Sequence, residues 1–193
     1  MTLVETLVVI ALMTILSAMI TSSIYYLYKY NAYSLAQAAE VDSARRALAR
    51  MTNDLREMTY AEDGSFPLVV KNNHLVSFYS DIDYDDSVEY VEYEVATSTL
   101  YKRTYNATGN PPTYNLASPD EEIILSEYVQ NFLEATSTFK YYDVNGVQLD
   151  ATDLLTDVRY IRAQVIVNVN PIQAPGEFVL RTSVAPRNLK DNL

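Results

Sequence analysis

Residues 1–28 read MTLVETLVVIALMTILSAMITSSIYYLY, and this stretch decides the fold. No charged residue occurs between Glu5 and Lys29, and the window between them is rich in Leu, Val, Ile, Met and Ala. A helix rises about 1.5 Å per residue, so residues 6–28 would span roughly 34 Å, enough to cross a bilayer core of about 30 Å. An ionised carboxylate in hydrocarbon costs at least about 2.5–3.5 kcal/mol. Glu5 is therefore expected to have a cationic partner, and the nearest candidate is the α-amine of Met1.

The helical pattern continues well beyond this window, because the first Gly and the first Pro are Gly64 and Pro67. Spacings of three and four residues align an apolar stripe along the later part of the helix: Val41, Ala44, Leu48, Met51, Leu55 and Met58. The opposite face carries charged residues: Glu40, Asp42, Arg45, Arg46, Arg50, Asp54, Arg56 and Glu57. We predict one helix over about residues 1–59, apolar on all sides up to residue 28 and amphipathic over residues 29–59. Such a long helix cannot bury itself in a small domain, so its first half must pack in lipid or against other copies.

The apolar window has three interpretations. A secretory signal peptide carries a basic n-region and a shorter apolar region, whereas no Lys or Arg precedes this window. A plain transmembrane anchor explains the length of the window, but it explains neither Glu5 nor the continuing helix. A helix whose first half packs in lipid or against other copies accounts for the length of the window and for the continuing helix.

The composition excludes several classes of function. The chain has 193 residues, enough for one domain of ordinary size plus the apolar segment. Its formal net charge of −11 opposes non-specific nucleic-acid binding, which needs clustered Lys and Arg. The absence of Cys excludes disulfides and thiolate metal sites, and a single histidine, His74, excludes a His-rich metal site. Four glycines leave little room for a phosphate-binding loop, and neither GxGxxG nor GxxxxGK occurs.

The sequence offers no catalytic constellation. A nucleophile needs a neighbouring base, and His74 stands alone in a chain without Cys. Ser and Thr are scattered without the G-x-S-x-G pattern of a nucleophile elbow. We therefore expect a protein that is not an enzyme.

Residues 2–20, TLVETLVVIALMTILSAMI, resemble the N-terminus of type IV pilins and of the pseudopilins of type II secretion. Members of this family start their mature chain with a TL[IV]E motif that places Glu at position 5. Thr2, Leu3, Val4 and Glu5 match that motif position for position. The match implies that numbering begins at the mature residue and that prepilin peptidase has removed a leader ending in Gly. In an alternative interpretation Met1 is an initiator methionine, and the position of Glu5 is then a coincidence.

Some residues depart from the commonest family pattern. Met1 stands where Phe is usual, and Thr14 stands where many bacterial pilins have Gly. Thr21 and Ser22 occupy positions that often hold Pro, which puts in doubt the local helix melting of some assembled pili. Further along, ARRALARMTNDLREM and FKYYDVNGVQL resemble the larger minor pilins and the J-type minor pseudopilins.

The resemblance implies an assembly mechanism. In this family the N-terminal helices bundle in the core of a filament, and Glu5 pairs with the N-terminal amine of a neighbour. A buried carboxylate and ammonium are costly alone but tolerable as a pair, so the pair would fix the register of an apolar bundle. The family usually carries an N-methylated amine, which makes Met1 the expected site of leader cleavage and methylation. The implied partners are other copies or related pilins, the prepilin peptidase and the assembly platform of the inner membrane.

Residues 60–193 are predicted to form a β-rich, mainly antiparallel head that packs on the apolar stripe, giving an α+β pilin fold. Alternating apolar residues and turn signals indicate these strands: Leu68–Val70, His74–Ser80, Val88–Val95, Thr99–Thr104, Thr138–Asp143, Val147–Leu149, Val158–Val169 and Glu177–Val184. Residues 118–132 are ambiguous. The capping box Ser118-Pro119-Asp120-Glu121 favours a short helix to about Phe132, whereas the run Ile123–Leu125 fits a strand.

Residues 81–92, DIDYDDSVEYVE, are the one stretch with the character of a metal site. Asp81, Asp83, Asp85 and Glu92 fall at positions 1, 3, 5 and 12 of an EF-hand count, and such hard oxygen ligands suit Ca²⁺. Asp86 replaces the Gly that an EF-hand needs at position 6, and the flanks alternate like strands. Two interpretations remain, an acidic hairpin tip with no cofactor and a Ca²⁺ loop of another kind. The acidic hairpin tip is the preferred interpretation, and the calcium sites known in some pseudopilins add a little support to the second.

Two single residues complete the candidates. Asn106 begins an N-x-T sequon, which is a glycosylation site only if the host has the machinery, and a chance match is the simpler interpretation. His74 lies beside the turn at Asn72–Asn73 and is expected to be a surface residue rather than a ligand.

The expected function is that of a structural subunit of a type IV pilus or a pilus-like filament at the cell surface, with a precursor pool in the cytoplasmic membrane. The alternatives are a minor pilin that primes or tips a filament, a type II secretion pseudopilin, and a membrane-anchored surface binding protein. Adhesion and motility follow from the resemblance only, and nothing in the sequence indicates direct nucleic-acid binding. The sequence does not separate a pilus from a secretion or competence filament.

Overall fold

The computed structural model describes residues 2–83, 85, 87–172 and 176–189. One helix, α1 (Leu3–Arg56), is followed by a β-rich region with two short 3-10 helices at Leu155–Asp157 and Arg187–Leu189. The predicted α+β class is confirmed. The predicted helix over about residues 1–59 is observed as a continuous helix of 54 residues.

The chain divides into two compact units, Met1–Ala39 and Glu40–Leu193. The first unit contains the N-terminal part of α1. The second contains the remainder of α1 and all the strands.

The larger sheet has five strands in the order β1-β2-β3-β4-β7, and every neighbouring pair is antiparallel. Its strands are β1 (Leu68–Lys71), β2 (Leu75–Ser80), β3 (Glu89–Ala96), β4 (Thr99–Tyr105) and β7 (Glu121–Ser126). A two-stranded hairpin, β5 (Ala107–Thr108) and β6 (Thr113–Tyr114), lies within the connection from β4 to β7. The strand interpretation of residues 118–132 is therefore correct, and the capping-box interpretation is wrong. Asp120, the third residue of that box, donates its backbone N–H to the carbonyl of Thr104 and so begins the pairing of β7 with β4.

The second sheet has four antiparallel strands in the order β11-β10-β8-β9. These are β8 (Phe139–Tyr142), β9 (Gln148–Leu149), β10 (Tyr160–Val167) and β11 (Phe178–Val184). The turn between β8 and β9 contains Gly146 at φ +80°, a left-handed conformation that favours glycine. The predicted Asn145-Gly146 hairpin is thus present.

The amphipathic part of α1 packs on both sheets through one hydrophobic core. Ala44, Leu48, Met51, Leu55 and Met58 of the predicted stripe are buried in that core, and Val41 is half-buried. The core also contains Val91 and Tyr93 from the larger sheet, and Ile161, Ala163 and Val165 from the second. The predicted packing of the later part of the helix on a β-rich region is therefore observed.

One residue of the charged helix face departs from the predicted pattern. Asp54 accepts a 2.6 Å hydrogen bond from the Nζ of Lys102 and a 2.7 Å bond from the hydroxyl of Tyr93. The Lys102 side chain is 3% exposed and that of Asp54 is 13% exposed, so the ion pair lies between α1 and the larger sheet. Asp54 thus belongs to a nearly buried polar contact and not to a solvated face.

The end of α1 is fixed by tertiary contacts. The side chain of Asn188 donates a 2.9 Å hydrogen bond to the carbonyl of Met58. The N–H of Thr59 donates to the carbonyl of Tyr79, at 2.8 Å, which draws the chain towards β2. These bonds pair backbone groups of Met58 and Thr59, which lie just beyond the last residue of α1.

Candidate assembly site of the N-terminal helix

The start of α1 is closed by a reciprocal pair of hydrogen bonds between Thr2 and Glu5. The backbone N–H of Thr2 donates to Oε2 of Glu5 at 2.8 Å, and the N–H of Glu5 donates to Oγ1 of Thr2 at 3.4 Å. This is the capping box, in which an N-cap Thr and a Glu three residues later satisfy each other's backbone groups. The T-x-x-E spacing of residues 2–5 is the sequence signal for this cap, in addition to carrying the family resemblance.

Glu5 therefore has a local hydrogen-bond donor in the isolated chain. Its carboxylate also lies in the first turn of α1, where the helix dipole favours a negative charge. The predicted partner, the amine of Met1, lies outside the described residues. The pairing of Glu5 with a neighbouring amine stays a prediction.

The segment that follows Glu5 exposes an apolar surface on every side. All residues from Leu3 to Ile24 are exposed, and those with large apolar side chains are Leu3, Val4, Leu7, Val8, Val9, Ile10, Leu12, Met13, Ile15, Leu16, Met19, Ile20 and Ile24. Contiguous exposed apolar surface on this scale marks an interaction site with lipid or protein. By its length and composition, α1 is able to cross a membrane. A signal sequence near the N-terminus meets the same criteria.

Four hydroxyl groups within this segment are satisfied inside the helix. Thr6 donates to the carbonyl of Leu3, Thr14 to that of Ala11, Thr21 to that of Ser17 and Ser22 to that of Met19, at 2.8–3.0 Å. Such back-bonding removes the need for an external partner, which an apolar environment would not supply. The segment is therefore compatible with lipid or with a dry helix bundle despite its Ser and Thr content.

Tyrosines mark the point where the apolar segment meets charged residues. Tyr25, Tyr26, Tyr28 and Tyr30 are exposed, and the rings of Tyr25 and Tyr26 meet edge to face with their centroids 5.7 Å apart. A ring with an apolar body and a polar hydroxyl suits a membrane–water boundary, and it also suits packing between helices.

The acidic stretch forms the connection between β2 and β3. Carboxylate oxygens of Asp81, Asp83 and Glu89 lie within 4.8 Å of one another. Glu89 is 2% exposed, accepts a 2.9 Å bond from the N–H of Ile82 and accepts a 3.0 Å bond from the hydroxyl of Ser87. Burial, the largest effect, raises the pKa of Glu89 above its ordinary value, and the nearby charges of Asp83 and Asp85 raise it further.

Two members of the predicted calcium set lie elsewhere or differ in role. Glu92 is in the middle of β3, where it forms an ion pair with Arg103 at 2.7 Å, so it does not join the cluster and Glu89 takes its place. The EF-hand numbering placed Glu92 at position 12, but residues 89–96 form a strand whose alternate side chains point to opposite faces. Glu92 and Glu89 are three residues apart and therefore lie on opposite faces. Asp85 is exposed and accepts hydrogen bonds from the hydroxyl and the N–H of Ser87, which lower its pKa. Asp86 lies outside the described residues.

The remaining candidates occupy separate places. Asn106 is exposed, and its backbone N–H donates to Asp120 at 2.8 Å. His74 is half-buried, with Nδ1 3.2 Å from the hydroxyl of Thr138 and its ring 5.2 Å from that of Phe132. Burial lowers the pKa of His74, so the neutral imidazole is favoured.

No protein-family model matches the sequence, and no curated protein sequence matches it. Among solved structures, the chain is similar to one in the GspK-GspI-GspJ complex from the type 2 secretion system of enterotoxigenic Escherichia coli. The identity is 10%, the match covers 76% of this chain and 97% of that chain, and the TM-score is 0.39. An identity and a score this low carry no conclusion about function.

Proposed function

We propose that this protein is a structural, non-enzymatic subunit of a pilus-like filament of the pilin and pseudopilin class. The observation that carries the proposal is the apolar, fully exposed segment Leu3–Ile24, which continues as one helix into a packed domain. The protein is held in the membrane by this segment before assembly, and the segment then packs against those of other copies or related subunits. The TLVE match of residues 2–5 supports the same class.

Magnitudes favour burial of this segment in spite of Glu5. Each Val, Leu, Ile or Met side chain that leaves water contributes about 1.5–3 kcal/mol. The thirteen such side chains between Leu3 and Ile24 far outweigh the cost of about 2.5–3.5 kcal/mol for one carboxylate in a membrane. The apolar surface therefore drives the segment out of water, into lipid or into a helix bundle, and Glu5 serves to select one register among many apolar alternatives.

In the assembled filament Glu5 pairs with the N-terminal amine of a neighbouring Met1. The proposal includes removal of a leader by prepilin peptidase, methylation of that amine and passage through an assembly platform in the membrane. The filament lies at the cell surface. The alternatives are a minor pilin, a secretion pseudopilin and an anchored surface protein.

A series of substitutions at residues 2 and 5 separates the charge of Glu5 from its capping role. Glu5→Gln keeps a side-chain oxygen for the N–H of Thr2, because Gln also serves in capping boxes, but it removes the negative charge. Loss of one partner of a buried ion pair costs about 3–5 kcal/mol. We expect both Glu5→Ala and Glu5→Gln to lower the filament yield at least about tenfold, since 1.4 kcal/mol already corresponds to tenfold.

Thr2→Val is the matched control, since it removes the hydroxyl of the capping box and keeps the charge of Glu5. Its filament yield should stay within about twofold of the unsubstituted chain, because one exposed cap contributes only about 1 kcal/mol. The measurement is electron microscopy of sheared filaments, with membrane levels of each variant by immunoblot. A normal yield from Glu5→Gln would rule out the charge pair. Filaments made only of this chain indicate a major subunit, a few copies at filament tips indicate a minor one, and none indicates an anchored monomer.

A further inference from the structure

The strands of the second sheet contain no Asp or Glu, although the chain has a formal net charge of −11. Their three charged residues are Lys140 in β8, Arg162 in β10 and Arg181 in β11. The larger sheet differs, since β3 and β7 alone carry Glu89, Glu92, Glu94, Glu121 and Glu122. The charge of the domain is therefore divided unevenly between its two sheets.

The register places the three cations on one face of the second sheet. Arg162 lies directly opposite Lys140 on one side and Ser183 on the other, and Arg181 lies opposite Gln164. The alternating residues Ile161, Ala163 and Val165 are buried in the core, so Arg162 and Gln164 lie on the outer face. Arg162 and Arg181 are exposed. We call Lys140, Arg162 and Arg181 the basic face.

The basic face is held in place by neutral groups. The guanidinium of Arg162 lies 5.0 Å from the ring centre of Tyr142, which stacks on Tyr160 at 4.7 Å. The Nε of Arg181 donates a 2.7 Å bond to Oε1 of Gln164. Within the described part of the chain, none of the three cations forms an ion pair with a carboxylate. Like charges directly opposite each other in a sheet are destabilising, which indicates that an external anion completes this face.

The same chain presents a surface of opposite charge. Residues 72–101 contain no Lys or Arg, and the connection from β2 to β3 lies within this run. That connection, which we call the acidic loop, carries Asp81, Asp83 and Asp85, and it ends at the buried Glu89. A loop is short enough to reach a flat sheet face, and its carboxylates suit the forked guanidinium groups of two arginines.

We propose that the basic face of one copy docks the acidic loop of a second copy. The two surfaces differ, so the contact is heterologous and can repeat from copy to copy along a filament. It gives the domains a specific lateral contact that is separate from the bundle of N-terminal helices. The inference rests on the proposed filament function, and it adds a second contact surface between neighbouring copies.

The structure favours a protein partner over nucleic acid. The ring of Tyr142 is already covered by Tyr160 and Arg162, whereas binding of single-stranded nucleic acid needs free aromatic faces. Three cations in a chain of net charge −11 also offer little to a long polyanion. Three carboxylates of the acidic loop match the three positive charges of the basic face.

Disulfide cross-linking tests the contact directly, because the natural chain contains no Cys. One full-length variant carries Ser183→Cys, beside Arg162, and the other carries Asp85→Cys in the acidic loop. The two variants, with different tags, are produced together in assembling cells and oxidised both in filaments and in detergent-solubilised membranes. We expect the mixed dimer to exceed either dimer of one variant at least fivefold.

Charge reversal supplies the specificity test. The yield of the mixed dimer should fall at least fivefold when one copy carries both Arg162→Glu and Arg181→Glu. It should be restored when the other copy carries both Asp81→Lys and Asp83→Lys. Arg46→Glu with Arg56→Glu is the control, since it makes the same change of charge on two exposed helix residues and should leave the cross-link unchanged. The cross-link should also decrease as salt is raised, because exposed charges are screened.

The outcomes separate the two proposals. Filaments without the mixed cross-link overturn the docking contact and leave the proposed function intact. A mixed cross-link in assembling cells whose filaments contain no copy of this chain overturns the proposed function instead and leaves the docking contact intact. A third outcome is that the chain binds a fluorescent oligonucleotide, that this binding is lost in the Arg162→Glu and Arg181→Glu double variant, and that no cross-link forms. This outcome would assign the basic face to nucleic acid and overturn the contact between copies.

Discussion

Glu5 combines an observed role in capping α1 with a proposed role in assembly. As the third residue after Thr2 it closes the first turn of α1, and as the one carboxylate ahead of a long apolar segment it can fix a register. The purposes are compatible, because a carboxylate has four acceptor positions and the Thr2 N–H uses one of them. In the proposed assembly, the local cap would lower the cost of holding Glu5 in the membrane, and the carboxylate would then exchange the Thr2 N–H for the amine of a neighbour.

At the same scale, Glu89 makes the stability of the domain depend on pH. Its pKa is raised in the folded state by burial, so the folded state binds more protons than the unfolded state between the two pKa values. Glu89 therefore makes folding less favourable as the pH rises from its pKa in the unfolded state towards its higher pKa in the folded state. We predict that Glu89→Gln raises the melting temperature at pH 7 and leaves it nearly unchanged at pH 4. Thermal unfolding by circular dichroism at the two pH values measures this.

Glu122→Gln is the control for this prediction, since its side chain is about half exposed and pairs with Arg103 at the surface. It should not raise the melting temperature at pH 7. An equal or lower melting temperature for Glu89→Gln at pH 7 would contradict the prediction. The same melting curves with and without Ca²⁺ test the calcium prediction, now for Asp81, Asp83 and Glu89. A shift with Ca²⁺ in the unsubstituted chain that is lost in Glu89→Gln would support a site.

At the scale of elements, the contact between α1 and the larger sheet contains one nearly buried ion pair. Lys102 of β4 and Asp54 of α1 are joined at 2.6 Å, and Tyr93 of β3 donates to the same carboxylate oxygen. Burial and the charge of Asp54 raise the pKa of Tyr93, so its hydroxyl stays protonated and donating. The pair holds the helix in a fixed rotation against the sheet, which an apolar stripe alone specifies less strictly.

This geometry predicts a strong asymmetry between single and double substitutions. Asp54→Asn keeps an acceptor for Tyr93 but leaves the charge of Lys102 buried without a counter-ion, which should destabilise the domain by about 3–5 kcal/mol. Asp54→Asn combined with Lys102→Met removes both charges and should recover most of that loss. Urea unfolding of the three chains measures the free energies. A double variant no more stable than the single one would show that the charge of Lys102 is not the cause.

At the scale of the whole molecule, the apolar segment should govern solubility but not the stability of the domain. Residues 2–28 are all exposed, so their removal takes away no buried contact. We predict that residues 29–193, which keep the buried Tyr33 and Gln37, stay monomeric in buffer and melt within about 3 °C of the full chain in mild detergent. The shift corresponds to less than about 1 kcal/mol.

Sedimentation and thermal melting of both chains provide the measurement. A chain of residues 1–193 in which only Glu121→Gln is introduced serves as control for a change at an exposed residue that should alter neither quantity. Aggregation of the shortened chain, or a much lower melting temperature, would show that the N-terminal segment contributes to folding of the domain.

Much of this fold is predictable because local signals agree. The absence of Gly and Pro before residue 64 and the stripe from Ala44 to Met58 specify the helix and its buried face. Alternation and turn residues locate most strands to within a residue or two. Residues 118–132 were ambiguous because a capping box favours a helix locally, whereas pairing of β7 with β4 decides for a strand.

The sequence by itself determined the long helix, its apolar and exposed first half, the β-rich character of the rest and the motif at residues 2–5, because each depends on spacing along the chain. Only the tertiary structure decided that Glu89 replaces Glu92 in the acidic cluster, that Asp54 meets Lys102, and that Lys140, Arg162 and Arg181 share one face. The physical reason is register. Which residues of distant strands and helices lie side by side depends on pairing and packing across the fold, and a one-residue shift would change every such neighbour.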